Sequence, residues 1–545
     1  MRYIWLKFIL IASFILPALL IWGTKTRPTG AQTRPTRIRP SAAEFFANHQ
    51  SEQAVVAPNC RYGISDTGGS SFFDQFGAGW VVNFVPSNNP SYAPGMEYVP
   101  IIWLKQLKDG NGNRLPGYTF HGGTPPLTDG PGGMGELVAA MPGRLWLVGN
   151  EIDRHTAQDD IMPEIYATAY HDIYYFIKQR DPSARIAISG LVQVSPAGCS
   201  TSIWCGESYL AQYGHPMPVD VWNMHAYALP EIQLNGQDSG AAVALGTDPN
   251  LALIDAGGQL ALCAQNNVMC IYEHDQMAQL QYQVIAMRQW MKNRGQQDKP
   301  LIISEYSLLY PYIEFENGTC DYVRDEYGNC FDPARVSQFM VNSFNYLETA
   351  ADPNLGYALD NNKLVQQWLW FTSAVPDNEY VGSSSKLITN DLASLTTVGN
   401  TYASSVAARP QNVNLIIEQV NSPVANTTLP LSATVQLEVT IRNNGTKPTT
   451  QPTTLNFYDD TAALIGTAVI PAGLGGCAIE SATVIVQWTD LAPGTYPFTV
   501  VLSSGEDSHA ADNTGAGIVL VNPKQIYLPL TAASSSRGIV IISPP

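Results

Sequence analysis

Between Cys60 and Ser373 the chain repeats one pattern eight times: a short, nearly unbroken apolar run, then a longer segment before the next. The runs are RYGIS (61–65), WVVNF (80–84), EYVPIIW (97–103), LWLVGNE (145–151), RIAISGL (185–191), VDVWNMHAY (219–227), PLIISEYS (300–307) and LVQQWLWF (364–371). Apolar runs without polar alternation suit strands covered on both faces, the condition of a parallel sheet. Parallel neighbours need long crossovers, usually helices. Three crossovers read clearly as helices. Residues 162–179 place Ile165, Ala169, Ile173 and Ile177 on one face and stop at Asp181-Pro182. Residues 277–294 carry Met277, Leu280, Val284, Met287 and Met291. Residues 333–349 open with Asp332 as cap and Pro333 in the first turn, then bury Val336, Met340, Phe344 and Leu347. The stretches after the first three runs have weaker helical spacing. Eight such strands with helical crossovers predict an α/β fold, a closed (β/α)8 TIM barrel, over residues 58–405.

After Arg409 the texture changes. Short alternating segments from NVNLIIEQV to AGIVLVN are separated by Gly, Asn, Pro and Asp. They predict an all-β, immunoglobulin-like sandwich over residues 410–522, read as a spacer or attachment module. The tail, residues 523–545, has no LPxTG sorting pattern.

In such a barrel the active site lies at the C-terminal ends of the strands. Two carboxylates close apolar strands there, Glu151 on the fourth run and Glu305 on the seventh. Two carboxylates across a cleft are what glycosidic cleavage requires. One protonates the leaving oxygen while the other attacks the sugar or activates water. Asn150 is placed to hydrogen-bond the hydroxyl beside the attacked carbon. A general acid needs a raised pKa, which burial near another carboxylate supplies. Glu151 is therefore expected to be the acid/base and Glu305 the nucleophile. His225 and Tyr227 end the sixth run and Asn83 the second, all expected to meet the sugar or the nucleophile. Trp103 and Trp370, near the ends of the third and eighth runs, are expected to stack on sugar faces. The long segment Pro230–Gln276 is expected to shape the groove.

Glu151 after Asn on strand four and Glu305 on strand seven resemble the clan A retaining glycoside hydrolases, which are (β/α)8 enzymes. More narrowly, WVVNFVPSN (80–88), EYVPIIW (97–103), GNEID (149–153), VDVWNMHAY (219–227) and KPLIISEYS (299–307) resemble glycoside hydrolase family 128, whose members cleave β-1,3-glucans. The resemblance covers about residues 60–375. It implies double displacement on a polysaccharide or oligosaccharide substrate, β-1,3-glucan favoured, with no cofactor. One departure stands out: where the family has Asn-Glu-Pro-Asp, Ile152 replaces the proline.

Seven of the 29 Lys/Arg lie in residues 1–40, which hold no Asp or Glu, so the remainder sets 22 basic against 46 acidic residues, a net charge of −24. That surface argues against nucleic acid or anionic polymers and for a neutral glycan. The N-terminus, MRYIWLKFILIASFILPALLIW, reads as a secretory signal or a retained membrane anchor over residues 1–23. A Pro/Thr-rich linker, 24–57, follows. Export would make the protein secreted or cell-surface, with association to the cell envelope through the N-terminal segment. The eight cysteines fit an oxidising compartment. Cys199/Cys205, Cys263/Cys270 and Cys320/Cys330 are expected as local disulfides, with Cys60 and Cys477 left over. No CxxC occurs, and YEHD (272–275) is too compact to converge on one ion, so no metal site is expected. GPGGMG (130–135) follows no strand and reads as a loop. A second reading makes the chain a non-catalytic glycan-binding adhesion protein on a barrel scaffold. A third makes it a transglycosylase.

Overall fold

The computed structural model describes residues 56–84, 86–121, 123–154, 158–194, 205–229, 270–312, 324–375, 381–426 and 432–522, with 232–233 and 253–254. The N-terminal segment, nearly all of the linker, the tail and most of 230–276 lie outside the described residues.

All eight apolar runs form strands of one parallel sheet. They are β1 (Asn59–Asp66), β2 (Ala78–Asn83), β3 (Glu97–Ile102), β4 (Leu145–Val148), β5 (Arg185–Ile188), β6 (Trp222–His225), β7 (Leu301–Tyr306) and β8 (Gln367–Trp370). The spatial order is β5-β4-β3-β2-β1-β8-β7-β6. A parallel bridge between Ala187 and Val221 joins the two end strands and closes the barrel. The helices are α1 (Met134–Ala140), α2 (Pro163–Arg180), α3 (Cys205–Tyr213), α4 (Met277–Asn293), α5 (Pro333–Thr349) and α6 (Thr397–Ala407). The early crossovers are irregular, as their weak periodicity suggests: a 3-10 turn (Ser70–Gln75) after β1, and a hairpin (Leu104–Lys108 with Arg114–Phe120) before α1. Asp332 caps α5 by accepting from Arg335 N at 2.9 Å. The buried face of α2 is rotated from the expected one. Tyr166 and Tyr170 join Ala169, Ile173 and Ile177, while Ile165 is half-buried.

Alternation along each strand divides the core into two layers. Trp80, Val82, Ile101, Leu147, Val221, Ile302 and Leu369 fill the barrel. Ile64, Trp146, Ile186, Met224, Ile303, Trp368 and Trp370 face the helices.

The C-terminal part is a sandwich of two sheets. Its strands are β9 (Leu415–Val420), β10 (Val424–Ala425), β11 (Ala433–Asn443), β12 (Thr453–Asp459), β13 (Leu464–Ile470), β14 (Ser481–Leu491), β15 (Gly494–Ser503) and β16 (Thr514–Val521). The sheets run β9-β11-β14 and β10-β16-β15-β12-β13. Alternation is plain on β11, where Val435, Leu437, Val439 and Ile441 are buried.

The sandwich is more than a spacer. Cys477 and Ile479, in the turn before β14, belong to the same buried cluster as the barrel interior. They plug its N-terminal end. Cys477 and Ala478 both hold left-handed backbone, φ 62° and 55°. Arg442 secures the turn by donating to Ala478 O and Ile479 O, each at 3.1 Å, while its other nitrogens pair with Glu418. Arg185, at the start of β5, bridges Glu97 of the barrel and Glu480 of the sandwich at 2.6 and 3.0 Å. The cysteine expectation is corrected here, because the two left-over residues pair: Cys60 and Cys477 form a disulfide across the junction. Each expected local pair has one member outside the described residues, and Cys270 and Cys330 are disulfide-bonded.

Candidate active site

The rim at the C-terminal ends of the strands gathers most of the residues singled out above. After β4 the chain turns sharply at Gly149 (φ 95°) and Glu151 (φ 50°). A glutamate in left-handed backbone costs roughly 1–3 kcal/mol and persists only where its surroundings hold it. Here Asp159 does so. Its carboxylate accepts from Asn150 N at 2.6 Å and from Leu104 N at 3.2 Å, tying the ends of strands four and three. Tyr166 of α2 adds a strut, donating to Val148 O at 2.7 Å and accepting from Ser189 N at 2.9 Å.

Glu305 owes its aim to a bulge. Strict alternation from the inward Ile302 would turn Glu305 towards the helices and Tyr306 into the barrel. The register of β7 shifts between Ile303 and Glu305 against β6, and between Ile303 and Tyr306 against β8. Tyr306 instead packs on Phe339 and Trp370 in the outer layer, and Glu305 turns to the rim.

The result is a compact buried constellation. His225 Nδ1 lies 3.1 Å from Glu151 Oε1, and Tyr227 donates to Glu305 Oε1 at 2.8 Å. One ligand-type atom from each of Glu151, His225 and Glu305 lies within 4.8 Å of the others. These three have metal-ligand spacing, but Glu151 is engaged by His225 and Arg154, and Glu305 by Tyr227. Glu151 is 2 % exposed and Glu305 8 %.

The electrostatics divide the pair. Burial pushes Glu305 up, Glu151 adds to the push against the opposing pull of His225, and the group reaches about 7. Burial also works against ionisation of Glu151. The hydrogen bond from His225 and the charge of Arg154 outweigh it and hold Glu151 below its ordinary value. His225 is raised: burial lowers it, but Glu305 and Glu151 together win. The raised carboxyl is thus Glu305, whereas the sequence reasoning places it on Glu151.

Other expected residues divide as follows. Asn150 sits buried beside Glu151, its amide donating to Gln158 Oε1 at 3.1 Å. Trp103 is half-buried at the rim, edge-on to Phe84 at 6.1 Å, which in turn meets Phe371 at 6.4 Å. Asn83 is taken up in a brace: it accepts from Tyr98 OH and donates to Tyr92 OH, which donates to Asp66. Trp370 is a correction. It is fully buried against Phe339 and Phe344 and donates to Ser385 O at 2.9 Å, so it is no sugar platform. Its neighbour Leu369 is the inward residue of β8.

Sequence reasoning missed Asp153, Arg154, Asp159 and His274. The first three lie in or just after a sharp turn, where no periodicity marks a side chain's direction. His274, from the YEHD stretch, is neutral, burial lowering it to about 4. Its Nδ1 bonds Ala228 O at 2.8 Å and its Nε2 accepts from Leu309 N at 2.7 Å. It thus ties the loops that follow Tyr227 and Glu305. Its neighbours look elsewhere: Asp275 pairs with Arg335, and Glu273 accepts from Cys270 N.

No family model and no curated protein matches this chain. Solved structures similar to it include a GH128 (subgroup II) endo-β-1,3-glucanase from Sorangium cellulosum, with 15 % identity and a TM-score of 0.35 over 64 % of this chain and 98 % of that one. A CARDB domain from Pyrococcus furiosus has 16 % identity and a TM-score of 0.17, over 21 % of this chain and 97 % of that one. A β-glucuronidase from Bacteroides uniformis has 10 % identity and a TM-score of 0.31, and the 86 % of this chain that matches spans 46 % of that one.

Proposed function

We propose that the protein is a retaining glycoside hydrolase acting on a polysaccharide or oligosaccharide, with Glu305 as nucleophile and Glu151 as acid/base. The observation that carries this is the spacing of the two buried carboxylates, whose oxygens approach within 4.8 Å on strands four and seven. Retaining enzymes hold their carboxyl groups about 5–5.5 Å apart, while inverting ones leave roughly 6.5–9.5 Å for a water. The Tyr227 phenol fixes one oxygen of Glu305, leaving the other to attack.

In the first step Glu305 bonds to the anomeric carbon, the glycosidic C–O bond breaks, and Glu151 gives its proton to the departing oxygen. In the second, Glu151 takes a proton from water. The hydroxyl adds to the anomeric carbon, and Glu305 leaves as carboxylate. His225 shares a hydrogen bond with Glu151 and supports its proton exchange. Burial raises Glu305 while His225 and Arg154 lower Glu151, so these roles require the pair's proton to reach Glu151 when substrate binds. The rim aromatics Trp103 and Phe84 offer an apolar surface for a sugar face. The apolar N-terminus and the disulfides support export.

The test incubates purified protein with a panel of neutral and acidic glycans, β-1,3-glucans included, and assays new reducing ends. Wild type is expected to release them, and Glu151→Gln and Glu305→Gln to lose the activity. A 2-deoxy-2-fluoro glycoside should label Glu305, and a label on Glu151 would reverse the roles. Undiminished glycan binding with no release from any substrate would leave a binding protein instead.

A further inference from the structure

We infer that Arg154 is the receptor for an anionic substituent on the sugar, so that the site takes a glycan bearing an acidic group near the bond it cleaves. This rests on the hydrolase reading and narrows its substrate class.

Arg154 is placed by the same turn as Glu151, its N–H donating to Glu151 O at 3.1 Å. Its side chain is 16 % exposed and reaches Glu151 Oε2 only at 3.5 Å. Its Nε is buried with no acceptor among the described residues. Other buried arginines are used far more fully. Arg61 makes two bonds to Asp360 and one to Gln366 O. Arg288 donates to Leu364 O, Lys299 O and Gln366 Oε1. A guanidinium carries five donors in a planar fork that matches the paired oxygens of a carboxylate or sulfate. At Arg154 one long contact leaves most of that fork unspent in a site where unmet donors are costly. An anionic group on the ligand supplies the missing acceptors.

The same assignment resolves a conflict in the chemistry. A cation beside a general acid opposes its protonation. If the substrate's own anion engages Arg154, that opposition is lifted only when substrate is present, and Glu151 can take the proton it must donate. A neutral chain has no group to do this. The chain's net negative charge does not prevent it, because at physiological salt fields decay over about 8 Å and the charge in contact decides.

The test titrates the intact protein calorimetrically with hexuronate oligosaccharides as free acids and as their methyl esters, with sulfated and neutral oligosaccharides beside them. The ester keeps the shape and removes the charge. Wild type is expected to bind the free acid or the sulfated sugar at least about tenfold tighter than the uncharged partner, the span of one charge-assisted contact. Whichever anion wins identifies the substituent. Arg154→Gln should erase the preference and Arg154→Lys keep part of it. Equal binding of acid and ester by wild type, binding of neither anion, or a preference surviving Arg154→Gln overturns the inference. Reducing-end release separates it from the hydrolase reading. Tight acid binding without release keeps Arg154's role and removes hydrolysis. Release from neutral chains alone does the opposite.

Discussion

At the N-terminal end of the barrel, Arg61 and Asp360 are buried in a two-pronged pair, and Gln366 and Arg288 complete their bonding. Nearby, Cys477 and Ile479 fill the remaining space with apolar atoms. At the C-terminal end Glu151, Glu305, Asp153 and His225 are buried as deeply, yet their charges are only partly matched. Among the described residues Asp153 Oδ2 and Arg154 Nε lack partners, and Glu151 sits in left-handed backbone. The bottom pairs its buried charges, although Asn59 Nδ2, Arg185 Nη1 and Gln367 Oε1 find no partner among the described residues there, whereas the top buries charges that are not paired off. Unmet charge at one rim marks where a ligand is to complete the structure, and a closed opposite end supplies the stability that tolerates it.

If the two ends of the barrel respond alike to substitution, the contrast between them fails. The largest contrast is expected at Glu305. Glu305→Gln should abolish measurable turnover, because an amide cannot form the covalent glycosyl ester, while thermal stability rises. The sign follows from the raised carboxyl, at about 7 when folded. The folded state binds the proton more tightly than the unfolded chain, so this group's stabilisation is complete below the unfolded value and is lost as pH rises through about 7. The gain in Tm for Glu305→Gln should therefore be larger at pH 8 than at pH 5. A loss of Tm at both would place Glu305 among the bottom-type residues.

Next comes the junction. Replacing Cys60 and Cys477 together by serine should cost about 2–5 kcal/mol, the span for native disulfides that close long loops, with kcat/KM unchanged well below the melting temperature. Denaturation monitored beside activity checks both halves. A matching fall in activity would show the two ends are coupled. Ile479→Ala should cost roughly 2–4 kcal/mol through the cavity left in the barrel, again without a catalytic effect. The smallest effect is expected from Tyr227→Phe. Loss of its hydrogen bond removes a lowering influence on Glu305, so the alkaline limb of kcat/KM, where the pair loses its shared proton near 7, should move to higher pH. An unmoved limb would mean that the limb belongs to another group.

Much of this was legible in the chain. The eight runs specify the barrel because burial on both faces removes polar alternation, and that absence is visible in one dimension. Glu151 and Glu305 stand out because a charge ending an apolar run is conspicuous. What was hidden depends on register and distance. Trp370 looked like a rim residue because nothing in QWLW marks which tryptophan faces inward. The bulge that aims Glu305 leaves no motif. Cys60 and Cys477 looked unpaired because their separation of 417 residues carries no local signal. The polarity of the carboxyl pair depends on Arg154 and His225, which are brought to Glu151 by turn geometry and by a strand two places along the chain.

The plug formed by Cys477 and Ile479 also sets an order of events for the growing chain. The barrel's first strand leaves the ribosome more than four hundred residues before the turn that closes the barrel's floor. Until the sandwich has emerged, the barrel interior that Cys477 and Ile479 cover stays open at that end. Such distant contacts slow folding, since the chain loses its loop entropy before it gains them. A nascent barrel must therefore wait, its lower end wetted, for a segment still being made. Truncation before the sandwich would make that interim state permanent.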